Sequence, residues 1–187
     1  QEPNKENGIF ADSDCDKCAT SKQSIADDFM IPRPMKVNQI TFWGGYFPDN
    51  IPLAVDDFTV ILHKDDAGLP GTVVYSQNGI IPAVRTDTCV NIFGVYEYKY
   101  ILNLPSAPVL TAGIYWVEIF NNTIDNTDSF FWETGMLSPT NGIAGSVWST
   151  EVPAGIWNKD SYTNLSMQIN GVPSCVMPWV PLLLLGE

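Results

Sequence analysis

Apolar and polar residues alternate along this chain in short runs, and proline, glycine, asparagine and aspartate break the runs at close intervals. Residues 26–31 and 37–46 read as two β-strands joined by a turn carrying Pro32 and Pro34. The second strand puts Val37, Gln39, Thr41 and Trp43 on one face and Asn38, Ile40 and Phe42 on the other, as a two-residue period requires. Residues 57–63 repeat the pattern, with Phe58, Val60 and Leu62 opposite Thr59, Ile61 and His63. The acid-, Gly- and Pro-rich run 65–71 predicts a turn, and the β-branched run 72–76 a strand. Residues 84–92 predict an irregular strand or crossing loop that carries Cys89. Residues 95–102 form a clear strand with Tyr96, Tyr98 and Tyr100 on one face. Further strands are predicted at 114–120, 129–134, 146–149 and 165–169.

No stretch holds a helical period beyond one turn. Fourteen Gly and fourteen Pro cut the chain into short extended pieces. The pattern predicts an all-β fold: a single antiparallel β-sandwich, jelly-roll-like, of about eight to ten strands. It divides the chain into an N-terminal arm (1–23), a β-sandwich domain (24–171) and a C-terminal apolar tail (172–187). The tail holds Trp179, Val180, Leu182, Leu183, Leu184 and Leu185, interrupted by Pro173, Pro178 and Pro181. It falls short of the roughly 20 apolar residues that span a bilayer, so no membrane span is expected. Four leucines in water would make a sticky segment, each worth about 1.5–3 kcal/mol when buried. Three destinations fit: an edge strand of the chain's own sandwich, a strand donated to a neighbouring copy, or a residual sorting anchor.

Length and charge narrow the class. A chain of 187 residues fits one domain with a full core. Nine Lys and Arg stand against 21 Asp and Glu, a net charge of −12, which argues against a nucleic-acid partner. The chain starts at Gln1 without a charged and apolar leader, which reads as a mature secreted protein in an extracellular or cell-surface setting. Four cysteines, Cys15, Cys18, Cys89 and Cys175, then read as disulfides. The pairs Cys15–Cys18 and Cys89–Cys175 are favoured among the three connectivities, which sequence leaves open. Asn121 and Asn164 head N-x-S/T triplets compatible with glycosylation.

Candidate chemistry is sparse. His63 is the only histidine, sits in no motif and reads as an ordinary strand residue. Cys15 and Cys18 have metal-ligand spacing, but no second pair completes a zinc site. Residues 12–16 resemble the start of a calcium loop, yet Lys17 and Gln23 stand where an EF-hand wants Gly and Glu. A calcium site of another kind is the one cofactor left open. The neighbouring acids Asp27-Asp28, Asp56-Asp57 and Asp65-Asp66 face opposite ways in strands. Glu97, Glu118 and Glu133 lie within strands, where a hydrolase would need two carboxyls about 5–9.5 Å apart. The abundant aromatics, Trp43, Tyr46, Tyr96, Tyr98, Tyr100, Trp116, Phe130, Phe131, Trp132, Trp148 and Trp157, would form a sugar-stacking platform if exposed, and a core if not.

Several stretches carry a family likeness. Ala26-Asp27-Asp28-Phe29, Ile40-Thr41-Phe42-Trp43-Gly44-Gly45-Tyr46, Asp57-Phe58-Thr59-Val60, Gly68-Leu69-Pro70-Gly71-Thr72, Tyr96-Glu97-Tyr98, Gly113-Ile114-Tyr115-Trp116 and Phe131-Trp132-Glu133 resemble secreted bacterial β-sandwich proteins. The likeness spans residues 7–171. Members often end in a PEP-CTERM-type sorting tail, from which this chain departs by lacking a full span and a terminal basic cluster. The resemblance implies secretion and a sandwich, and no activity. The sequence therefore leads to a non-enzymatic extracellular structural protein that self-assembles into a filament or matrix by donating its tail. The alternative is a secreted carbohydrate-binding module with glycan partners and a structural calcium.

Overall fold

The computed structural model describes residues 1–15, 18, 22–123, 128–136, 146–159 and 163–174. They form two antiparallel sheets packed face to face, a β-sandwich without helix. The first sheet runs in the order β1 (Pro3–Phe10), β10 (Ser129–Gly135), β3 (Met35–Phe47), β7 (Val95–Asn103) and β6 (Val84–Ile92). Short β13 (Asn164–Leu165) adds to β10, while β8 (Val109–Leu110) and β14 (Met167–Pro173) add to β3. The second sheet runs β12 (Asn158–Lys159), β11 (Val147–Ser149), β2 (Ser24–Ile31), β9 (Gly113–Asn121), β4 (Phe58–Asp65) and β5 (Pro70–Ile80).

The two-residue period decides the core. Ile40, Phe42, Tyr46, Tyr100, Leu102, Phe130 and Trp132 face inward from the first sheet. Ile25, Phe58, Val60, Leu62, Val117 and Ile119 meet them from the second, all of them buried. Phe42 sits at the centre, its ring 5.2 Å from Phe58, 5.1 Å from Tyr100 and 5.8 Å from Trp132. The alternation predicted for β3 breaks at one point. Gln39 pairs with Asn170 and Val37 with Gly171, so Asn38 is an extra residue. This bulge turns Val37 inward beside Ile40. The row Tyr96, Tyr98, Tyr100 grades from exposed through half-buried to buried, because only its far end lies under the second sheet.

The segment read as an arm holds β1, a full member of the first sheet with Ile9 opposite Trp132. At the other end, β14 continues past Gly171, pairing Val172 with Lys36 and Pro173 with Met35. Buried polar groups tie the layers together. Asn121 of β9 donates to the Tyr46 hydroxyl at 2.5 Å, and Tyr46 donates to Asp56, which pairs with Arg85 at 2.8 Å. Burial of Asp27, only partly offset by its bonds from the Leu165 and Asp28 amides, pushes its carboxyl up to about 7. No helix among the described residues is long and apolar enough to cross a membrane.

Candidate functional site

One side of the sandwich carries a lateral seam. β11 pairs only with Ser24, Ile25 and Ala26 of β2. From Phe29 to Ile31 the same side of β2 has no strand beside it among the described residues, although β9 continues along the other side. Unpaired backbone amides and carbonyls on such an edge are a template for another strand. A cavity of about 350 Å³ runs between this edge and β14. Phe29, Ile31, Pro32, Met35, Met167 and Ile169 make its apolar lining. The last described residue lies at the same end of the molecule, where the Ser174 amide donates to the Pro34 carbonyl at 2.9 Å. The predicted assembly residues Trp179, Val180, Leu182, Leu183, Leu184 and Leu185 lie outside the described residues.

The strand glutamates separate into two environments. Alternation puts Glu97 and Glu133 on the outer face of the first sheet with Trp43 and Phe131, and all four are buried there. β1 and β6 stand four strand spacings apart, about 19 Å in a flat sheet, yet they pack against each other. The sheet therefore curls over its own outer face. Both margins are irregular where this happens: pairing shifts between Pro3 and Gly8 and between Asp87 and Asn91, with positive φ at Lys5 and Cys89. Burial and a hydrogen bond with Glu97 push Glu133 up to about 9. The Lys5 amide donates to its Oε1 at 2.8 Å. Both carboxyls are sealed from solvent. Beside them, Phe10, Phe47, Phe93 and Phe131 line a cleft of about 460 Å³, of which the sequence pattern singles out only Phe131.

Glu118 lies on the outer face of the second sheet. His63 Nε2 stands 3.0 Å from its Oε2, while Ser24 Oγ donates to Oε1 at 2.5 Å and the Ala154 amide donates to the same oxygen at 3.1 Å. The other imidazole nitrogen faces the Gly71 carbonyl at 3.2 Å, and the Trp157 ring stands edge-on at 6.0 Å. Sequence reasoning misses this cluster because its members are 55 and 94 residues apart along the chain. It is not a nucleophile relay: Ser24 donates to the carboxyl rather than to the imidazole. Its effect is to latch the loop at Ala154 onto the sheet.

The remaining predicted residues fall as follows. Cys15 and Cys18 form a disulfide with Cα atoms 5.4 Å apart. Cys89 is exposed and carries no disulfide among the described residues, and Cys175 lies outside them. Asn121 and Asn164 are buried, and a glycan on either would require its side chain to leave the interior. Asp12, at the head of the candidate calcium loop, turns inward. Its carboxylate accepts from the Thr123 hydroxyl, the Phe130 amide at 2.6 Å and the Asp14 amide at 3.0 Å, while burial pushes it up to about 6. Asp16 is outside the described residues. The aromatics do not assemble into an exposed platform. Trp43, Tyr46, Tyr100, Trp116, Phe130, Phe131 and Trp132 are buried, Tyr98, Trp148 and Trp157 half-buried, and Tyr96 exposed.

Residues 1–171 match a family model described as "Domain of unknown function (DUF7901)". No curated protein and no solved structure matches the chain.

Proposed function

We propose, from the premise that the chain belongs to this family of unassigned activity, that it is a non-enzymatic extracellular structural subunit. It assembles with copies of itself by adding its C-terminal apolar segment to the open edge of β2 in a neighbour. The observation that carries this reading is the seam: the stretch 29–31 of β2, with no neighbouring strand among the described residues, beside a cavity lined by Phe29, Ile31, Met35, Met167 and Ile169 and rimmed by Gln1 and Gln168. Residues 175–187 supply the occupant. Thirteen residues reach about 40 Å when extended, against about 10 Å for the open part of β2. Met177 and Val180 precede prolines, which favours extended backbone in each. No Gly, Asn or Asp stands between Ser174 and the leucines to reverse the chain. These features favour a strand that projects to the next copy over one that folds back. A contact in which one copy's tail fills another's seam is heterologous, so it propagates. The Cys15–Cys18 disulfide suits an oxidising, extracellular setting.

The test compares the full chain with a version ending at Ser174, since a cut at Gly171 would also remove paired residues of β14. Negative-stain microscopy and sedimentation of the full chain are expected to show polymers, and the shortened chain monomers. Met30→Lys, at a side chain 47% exposed on the open edge, is expected to block assembly while leaving the melting temperature within about 2 °C. Monomers from the full chain would overturn the proposal.

A further inference from the structure

We infer that the outer face of the second sheet carries a binding site for a neutral saccharide, independent of the assembly seam. Alternation along β4 turns Thr59 outward with Ile61 and His63. The pairing of Ile61 with Ser76 puts Ser76 of β5 on this face, and Asn78 reaches the same cavity where the β4–β5 register shifts. These residues, with Asp57 and Asn122, line a cavity of about 630 Å³, within the usual size of a small-molecule site. Phe120 contributes an apolar surface, and Val152 and Pro153 line it from the loop that Glu118 holds at Ala154.

The polar groups are fixed before any ligand arrives. Asn122 Nδ2 donates to Asp57 Oδ1 at 2.8 Å and to Thr59 Oγ1 at 3.1 Å. The Asn122 amide donates to the Asp57 carbonyl at 2.7 Å. Asp57 Oδ2 has no protein partner among the described residues and is left to accept from a ligand hydroxyl. Ser76 and Asn78, both exposed, add groups that donate and accept.

The lining excludes the other ligand classes. It holds no Lys, Arg or His, so a phosphate, sulfate or carboxylate would meet only the Asp57 charge. One carboxylate falls short of the oxygen set of a hard cation, and no group of three metal-binding side chains occurs among the described residues. A purely apolar ligand would strand the hydroxyls and amides. A ring bearing several hydroxyls matches donors and acceptors together while resting one face on Val152 and Pro153.

Affinity electrophoresis through gels containing β-glucan, mannan, galactan or xylan tests the inference, with a sulfated polysaccharide as control. The protein is expected to be retarded by at least one neutral polymer, equally at low and high salt. Ser76→Ala with Asn78→Ala, at exposed positions, should weaken that retardation at least tenfold with an unchanged melting temperature, and Asp57→Asn should weaken it as well. Retardation by none of the neutral polymers, or by the sulfated one alone, overturns the inference. So does retardation that all these variants leave intact.

Discussion

Raising the pH from 5 to 8 is expected to lower the melting temperature by about 5–10 °C. Three buried carboxyls set the sign. Burial lifts Asp12 from 3.8 to about 6, Asp27 from 3.8 to about 7 and Glu133 from 4.5 to about 9, the last with help from Glu97. In the unfolded chain all three lose their protons near the ordinary values, while the folded chain keeps them longer. Between those limits the native state binds more protons, so stability falls as pH rises. The contribution is complete below about pH 4 and is lost through successive windows that close at about 6, 7 and 9. Each tenfold rise in a carboxylate's proton affinity on folding corresponds to about 1.4 kcal/mol. Relaxation of buried sites reduces the sum to about 2–3 kcal/mol over this range. Self-repulsion of a chain with net charge −12 acts in the same direction. Glu133→Gln separates the two effects, because the amide fills the same space without titrating. Calorimetry from pH 4 to 9 should show a shallower decline for that variant. A melting temperature that climbs between pH 5 and 8 in the parent would contradict the assignment.

Phe42→Ala is expected to cost about 3–5 kcal/mol and about 10 °C or more in melting temperature. The ring is fully buried and edge-on or stacked against Phe58, Tyr100, Phe130 and Trp132. It belongs to the first sheet and Phe58 to the second, so its removal opens a void in the middle of the sandwich interface. Rigid neighbouring rings cannot collapse into that void, which places the loss at the upper part of the usual range. Urea unfolding measures it as a lower midpoint at similar slope. Phe93→Ala makes the contrast. That ring is 49% exposed, although it touches Phe47 and Phe131, and its loss should stay near 1 kcal/mol. Equal losses at the two positions would mean that the core is not centred on Phe42.

The sandwich was legible because its period is local. Phe58, Val60 and Leu62 declare one face of β4 within five residues, and all three are buried. Val37 was misplaced because the bulge at Asn38 is set by pairing with β14, some 130 residues away. β1 was invisible for a related reason. Asn4, Lys5, Glu6 and Asn7 offer no alternation, and only pairing with β10 makes the segment a strand. The glutamates show the same limit at the level of chemistry. Glu97, Glu118 and Glu133 were recognisable as strand carboxyls. Whether a carboxyl meets another carboxyl, as Glu133 does, or a histidine and a serine, as Glu118 does, depends on sheet order and curl. The groove at Asp57, Thr59, Ser76, Asn78 and Asn122 left no mark in the sequence, because β4, β5 and the residues flanking β4 and β9 each bring one or two common polar residues to it.

The position of β3 has a consequence for biosynthesis. This strand, complete by residue 47, is flanked on one side by β7 at 95–103 and on the other by β10 at 129–135 and β14 at 167–173. A nascent chain emerges from its N-terminus, so β3 leaves the ribosome long before either flank exists. One edge must wait for β7, and the other stays largely unpaired until almost the whole domain is translated. Such delayed, long-range pairing makes folding slow and exposes the intermediate to aggregation. A ribosome stalled at residue 160 would carry a chain whose central strand still lacks β14, and that chain would depend on a chaperone to remain soluble.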